Sequence, residues 1–310
     1  MNFLVLYHIR TGMQERKAHI LIFFSLLLIA SCSASVSKSS ENSSHENEFE
    51  GMILVQGGEA TFGNYQGFTG EQPEFSMRVN AFYLDEHEVT VSKFRKFIEE
   101  TGFKTEAEKF GDAGVFDLDK KVWYLHKNAT WHHPLGPDGP AALDDHPVTQ
   151  VSWNDAVAYC RWVGKRLPTE FEFEYASRKA STQPQLYNWG DALVENDKYM
   201  ANTWQGKFPD INLQKDGYLY TSAVGTFGKN ALGFEDLGGN VWEWTASWYQ
   251  PYDNVIAGIN DSSANLRTIK GGSFMCDTSF CCGYRISARN GTSPETSLFH
   301  IGFRCAVDVK

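Results

Sequence analysis

The sequence predicts one irregular, mixed α+β domain with little regular secondary structure, and three observations carry that expectation. Only three segments combine a helical apolar period with recognisable caps. Stretches that alternate like strands are short: Met52 to Val55, Phe82 to Leu84 and Arg267 to Lys270. Between them lie long runs rich in Trp, Tyr, Gly, Asn and Asp with no internal repeat, and loops of that length inside a compact domain carry function or bind ions. The residues from 52 to 310 would suffice for one large domain or two small ones, and a content of 42% hydrophobic and 14% aromatic residues can fill a core. Patternless runs without a second linker favour one.

The chain begins with a positive region, Arg10, Arg16 and Lys17, followed by an apolar run from Ile20 to Ala30 that ends at Ile29-Ala30-Ser31-Cys32. The run is too short to span a bilayer comfortably, and small residues before a cysteine suit signal-peptide cleavage. The IASC stretch resembles a bacterial lipobox, which makes residues 1–31 a lipoprotein signal peptide and Cys32 the lipidated first residue. An ordinary signal peptide cut nearby is the alternative. Either reading places the protein outside the cytoplasm, the first as a membrane-anchored lipoprotein facing the periplasm or cell exterior. Residues 32–50, rich in Ser and nearly devoid of apolar residues, read as a flexible tether. The domain occupies 51–310.

In the first helix Val91, Phe94, Phe97 and Ile98 share a face, with Thr90 as N-cap and Gly102 as stop. In the second, Ser152 with Asp155 starts a capping box, Ala156, Tyr159, Cys160 and Val163 form the buried stripe, and Gly164 closes it. Thr169 and Glu172 open the third, just after Pro168. The formal net charge is −10, and loss of three cations and Glu15 with the signal peptide makes it −12. An acidic exported chain is a poor partner for nucleic acid.

The stretch GGSFMCDTSFCCGYR holds three of the six cysteines: Cys276, Cys281 and Cys282. In an exported chain, thiols crowded in this way are candidates as disulfide partners, as ligands for a soft metal or as reactive nucleophiles. A Cys276–Cys281 disulfide competes in an oxidising compartment. Structural zinc needs four ligands, and no second Cys or His pair at matching spacing occurs. His132 and His133 read as structural loop residues.

HPVTQVSWNDAVAYCRWVGKRLPTEFEFEYASR, ANTWQGKFPD, LGGNVWEWT, KGGSFMC and IGFRC, in this order, resemble the formylglycine-generating enzyme (sulfatase-modifying factor) family from about Met52 to the end. The resemblance implies a fold of the C-type-lectin-like kind. It also implies an oxidase that converts a cysteine in a Cys-x-Pro-x-Arg type segment of a sulfatase to Cα-formylglycine, using dioxygen and Cu(I) held by Cys276 and Cys281. The substrate implied is an unfolded or extended sulfatase chain. Ser273 is carried over as a polar group of the active site, its alternative role being that of a turn residue.

The resemblance further implies structural Ca²⁺ at two places, the first held by Asn202, Asp216 and the carbonyls of Thr203 and Tyr218. The second is held by Asp236, Glu243 and the carbonyls of Gly239 and Val241, with oxygen-rich loops suiting this hard ion. Turn-capping is the alternative role of these side chains, and Glu88 is a further, weaker ligand candidate whose main reading is a surface carboxylate. A bridge from Cys160 to Cys305 is implied as well, closing a loop of about 145 residues. A second bridge known in relatives is missing as a unit, with Ser177 and Ile286 at its positions. Cys282 is left over and is expected to pack away from the pair. His300 stands where the oxidases commonly have Asn, and Asp277 replaces another residue beside the first copper thiol. The iron-dependent branch needs a His-x3-His-x-Glu spacing that does not occur here. The functional alternative is a non-catalytic surface lipoprotein that uses the same scaffold for binding or assembly.

Overall fold

Capping chemistry starts and stops the helices where the sequence places them. In α1 (Val91–Thr101) the Thr90 hydroxyl accepts from the Lys93 N–H at 3.3 Å, and Gly102 ends the helix at φ +64°. Val91, Phe94 and Phe97 are buried, while Ile98 is only half-buried. A five-residue helix, α2 (Glu106–Phe110), follows behind its own capping box of Thr105 and Glu108. It is too short to show an apolar stripe, so periodicity did not reveal it. In α3 (Trp153–Trp162) the Ser152 and Asp155 side chains and backbone N–H groups pair reciprocally, at 3.1 and 2.9 Å. In α4 (Glu170–Lys179) Thr169 and Glu172 do the same, at 3.1 and 2.8 Å. A last short helix, α5 (Tyr252–Ile256), lies after Pro251.

The computed structural model describes residues 49–179, 184–259, 261–279 and 281–310. The proposed signal peptide, Cys32 and nearly all of the tether therefore lie outside the described residues. Among those described, no helix is long and apolar enough to cross a membrane.

Two sheets position the chemistry. One has the strand order Asn290–Thr292, Arg267–Lys270, Trp242–Trp248, Ile301–Gly302, with the last pair parallel. The other joins Met52–Val55, Phe82–Asp85 and Ala306–Asp308, all antiparallel. The IGFRC motif thus passes from one sheet into the other within a few residues. A hairpin of Asp112–Asp117 and Val122–Lys127 forms a separate two-stranded ribbon, tied through Gly114 to the segment at Leu298, which the alternation in the sequence did not announce.

The main core is aromatic. Phe94, Trp244, Tyr159 and Phe303 are buried in it together with Cys160, Cys276 and Cys305. Truncating such rings to Ala costs about 3–5 kcal/mol each. The core thereby fixes α3 against the C-terminal motif, and both against the thiol loop.

Candidate active site

The thiol loop leaves the Arg267–Lys270 strand through Gly271 and Gly272, both at positive φ (89° and 71°). At Gly272 any Cβ would collide with the backbone of Gly283 and Tyr284, so the loop can close on itself only with glycine here. The Gly239 N–H donates to Gly271 O at 2.8 Å and the Phe274 N–H to Asn240 O at 2.9 Å, tying the turn to the segment before Trp242. Ser273 is fully buried, and its hydroxyl accepts from the Met275 N–H at 3.3 Å. Its own N–H points at Cys276 Sγ, 3.5 Å away. Ser273 is therefore a turn residue that also touches the first thiol.

Cys276 and Cys281, expected as two separate thiolates, are joined as a disulfide with Cα atoms 4.9 Å apart. That separation lies within the range a disulfide accepts. Cys276 is buried and Cys281 half-buried. Cys282 does not share the bond: its Sγ donates to Thr278 O at 2.8 Å, from a residue at φ +45°. It is partly exposed and not packed in the core as expected, and burial still pushes its thiol pKa up. Beside the loop Phe116, Phe274, Met275 and Phe299 form a buried apolar cluster, with Trp123 and Phe208 against it. His300, next in sequence to Phe299, packs its ring on Trp123.

Cys160 and Cys305 were expected as a disulfide. They face each other as two fully buried thiols with sulfurs 2.8 Å apart, longer than the S–S bond of about 2.05 Å. Burial, and then its partner thiol, hold the pKa of Cys305 well above the usual range.

Around the expected second calcium position the structure corrects the reading of Glu88. It is fully buried, not on the surface, and its Oε2 has no hydrogen-bond partner. Glu88, Asp236 and Glu243 share one guanidinium, Arg304, which makes two 2.7 Å bonds to Glu243 and lies 3.9 Å from Glu88. Burial, then repulsion from Asp236 and Glu243, raises the Glu88 pKa well above the carboxylate range. Burial lifts Asp236 to about 6, against a 2.6 Å bond from the Gly225 N–H. Ionised together, three acids against one base would leave two uncompensated negative charges in the interior, a cost that raised pKa values or a bound cation relieve.

At the first position Asp216 accepts from the Thr203 and Tyr218 N–H groups, both at 3.0 Å, and the Gln205 amide donates to Thr203 O. Turn-capping is thus present. Asn202 nevertheless keeps a buried Oδ1 without a partner, while its Nδ2 donates to Tyr220 O at 2.8 Å and to Asn240 Oδ1 at 3.3 Å. The Asn240 Nδ2 in turn donates to Glu88 Oε1 at 3.3 Å, so one amide links the two neighbourhoods. Sequence reasoning did not single out Asn240; LGGNVWEWT contains it, but nothing in its spacing marks it. Among the described residues no three His, Cys, Asp or Glu side chains are arranged to hold a metal. The expected sites draw instead on two sulfurs, or on carbonyl and amide oxygens beside one or two carboxylates. A cavity of about 500 Å³ lined by Tyr65, Gln72, Tyr249 and Arg289 contains none of the expected residues.

The Sulfatase-modifying factor enzyme 1-like domain matches residues 37–309. This chain belongs to that family. The match begins inside the Ser-rich stretch, upstream of the expected boundary at residue 51. The formylglycine-generating enzyme of Bos taurus is 44% identical over 258 residues, which are 77% of this chain and 69% of that one. The formylglycine-generating enzyme of Streptomyces coelicolor is 38% identical over 281 residues, 83% and 89% of the two chains. A Bos taurus protein named inactive C-alpha-formylglycine-generating enzyme 2 is 37% identical over 276 residues, 82% and 87% of the two. Among solved structures, PvdO from Pseudomonas aeruginosa superposes with a TM-score of 0.62 at 25% identity, covering 83% of this chain and 94% of PvdO. CarF, at 20% identity and a TM-score of 0.52 over 84% and 98% of the chains, shares the fold. Sulfatase-modifying factor domains thus provide the frame for the thiol loop, and the mixed α/β architecture is consistent with the C-type-lectin-like expectation.

Proposed function

We propose that this chain converts a cysteine of an exported sulfatase to Cα-formylglycine, with Cys276 and Cys281, when reduced, holding Cu(I) and dioxygen as oxidant. The carrying observation is the loop itself: within this family scaffold it keeps two soft donors at bonding reach, one buried and one half-exposed. Two thiolates match the donor preference of Cu(I). Bound copper would supply a soft redox centre where a substrate thiolate and dioxygen meet. The protein's share is positional: Ser273 orients Cys276, and the rings of Phe274, Phe299, Trp123 and Phe208 keep water away. The substrate's Cβ–H gives up one electron pair to dioxygen, an external thiol supplies a second pair, and water replaces sulfide at the oxidised carbon to leave the aldehyde. Dioxygen accepts both pairs and ends as two waters, and the aldehyde oxygen comes from the water that displaces sulfide.

Ca²⁺ on Asp236, Glu243 and the Gly239 and Val241 carbonyls, and on the Asn202 and Asp216 site, belongs to the same reading, supported by the crowding of buried carboxylates near the first and by the buried Glu88 and Asn202 oxygens that lack hydrogen bonds. A bond between Cys160 and Cys305 belongs to it as well, since their sulfurs are already in contact. Export and lipidation at Cys32 rest on the N-terminal sequence alone.

The existence of relatives named inactive supports a second reading, in which the Cys276–Cys281 bond is only a staple. Cys276→Ser and Cys281→Ser separate the two. Each is expected to abolish aldehyde formation and most Cu(I) binding, while Cys282→Ser keeps both. Full turnover in Cys276→Ser would refute the assignment.

A further inference from the structure

Asp277 follows the first thiol directly and is itself fully buried. Its carboxylate is divided between two jobs. Oδ1 accepts from the Ser279 N–H at 2.9 Å, and the Ser279 hydroxyl lies 3.2 Å from both oxygens, which folds residues 277–279 into a tight turn. Oδ2 accepts from the Phe208 N–H at 2.8 Å, across 69 positions of sequence. The backbone completes the clamp. Cys276 O accepts from the Trp204 N–H and Asp277 O from the Cys282 N–H, both at 3.0 Å. Cys276 is thus held on one side by the 204–208 segment, and the return of the chain to Cys281 is set on the other by the turn. One buried side chain takes part in both restraints.

We propose that Asp277 is a positioning residue for the dithiol: it holds the loop in the shape that keeps Cys276 and Cys281 within reach of one atom. Its bearing on copper rests on the reading given above; its bearing on the two sulfurs does not. A loop without this anchor samples wider sulfur separations, and both the disulfide and a two-thiolate metal site then form less favourably, because ordering must be supplied when they form. Charge-assisted bonds of this kind are stronger than neutral ones, so an amide is an incomplete replacement: it can accept from one of the two N–H groups but turns a donor toward the other.

The test uses the full chain in glutathione buffers, with acid quenching, alkylation and peptide mass analysis. The reaction read is protein dithiol plus oxidised glutathione giving the Cys276–Cys281 disulfide plus two reduced glutathiones. Asp277→Ala is expected to lower its equilibrium constant about tenfold, and Asp277→Asn by about threefold. The control is Asp261→Ala, which removes the same kind of turn, Asp261 Oδ1 to the Ser263 N–H at 2.9 Å, on an exposed loop; it is expected to change nothing beyond twofold. In a second arm, competition with a chromogenic Cu(I) chelator is expected to show affinity reduced about 10–100-fold in Asp277→Ala. Melting curves check that each variant folds. If the Ala variant does not, the Asn variant decides alone. An equilibrium constant within twofold of wild type in the folded Asp277 variants, or an equal shift in Asp261→Ala, overturns the proposal. Failure of the wild-type protein to bind Cu(I) would instead overturn the copper reading and leave the glutathione arm to decide the role of Asp277.

Discussion

His300 is 3% exposed, its ring packed 5.2 Å from that of Trp123 and 5.6 Å from that of Phe299, and its Nδ1 has no hydrogen-bond partner. Burial pulls its pKa down to about 3. The unfolded chain holds an imidazole near 6.5, so between these values the unfolded state binds more protons than the folded one. The neutral ring's contribution is therefore fully present above pH 6.5 and is lost as pH falls toward 3. At pH 5 this one group accounts for about 2 kcal/mol of lost stability. Urea unfolding at pH 7.5 and pH 5 should show His300→Asn losing about 2 kcal/mol less than wild type over that interval. Equal losses would mean that His300 is hydrated or protonated in the folded protein.

At the scale of elements, the thiol loop depends on a turn that only glycine can make. Gly272→Ala places a Cβ against the backbone of Tyr284 at φ +71°. A cost above about 2 kcal/mol in urea unfolding is expected, whereas Ser152→Ala, at the start of α3, should cost about 1 kcal/mol. A Gly272→Ala variant as stable as wild type would show that the loop has room to shift. The caps of α1, α3 and α4 were legible because each is a local bargain between residues three apart, and so were the short strands at Met52, Phe82 and Arg267. The hairpin of Asp112–Asp117 and Val122–Lys127 was not, because Ala113, Gly114, Val115 and Phe116 are buried in succession and so break the alternation. The positions of the site residues were readable only through family motifs. Which of them meet is set by long-range contacts: Arg304 with Glu243 across 61 positions, Asp277 with Phe208 across 69, Glu88 with Asn240 across 152. No periodicity records such pairings, and so Glu88 was misplaced on the surface.

For the whole molecule, the proposed Ca²⁺ beside the buried acids around Arg304 would link stability to calcium. If Ca²⁺ balances them, a chelator should lower the melting temperature by roughly 5–10 °C, since saturation at a hundredfold excess over Kd contributes about 3 kcal/mol. An unchanged melting curve would mean that protons, not a cation, neutralise the cluster. Stability and chemistry meet at the thiol loop, which the same fold holds between the 204–208 segment and the Trp242 strand. The function proposed for this loop, once reduced and loaded with Cu(I), is the oxidation of a substrate cysteine. It is tested most directly by incubating the purified chain, copper and a mild thiol reductant in air with a peptide containing Cys-x-Pro-x-Arg, then measuring the peptide mass before and after trapping with a hydrazide. Replacement of CH₂–SH by CHO with release of sulfide is expected, and no such change with Cys276→Ser. A peptide recovered unaltered, from protein shown to be folded and copper-loaded, would contradict it.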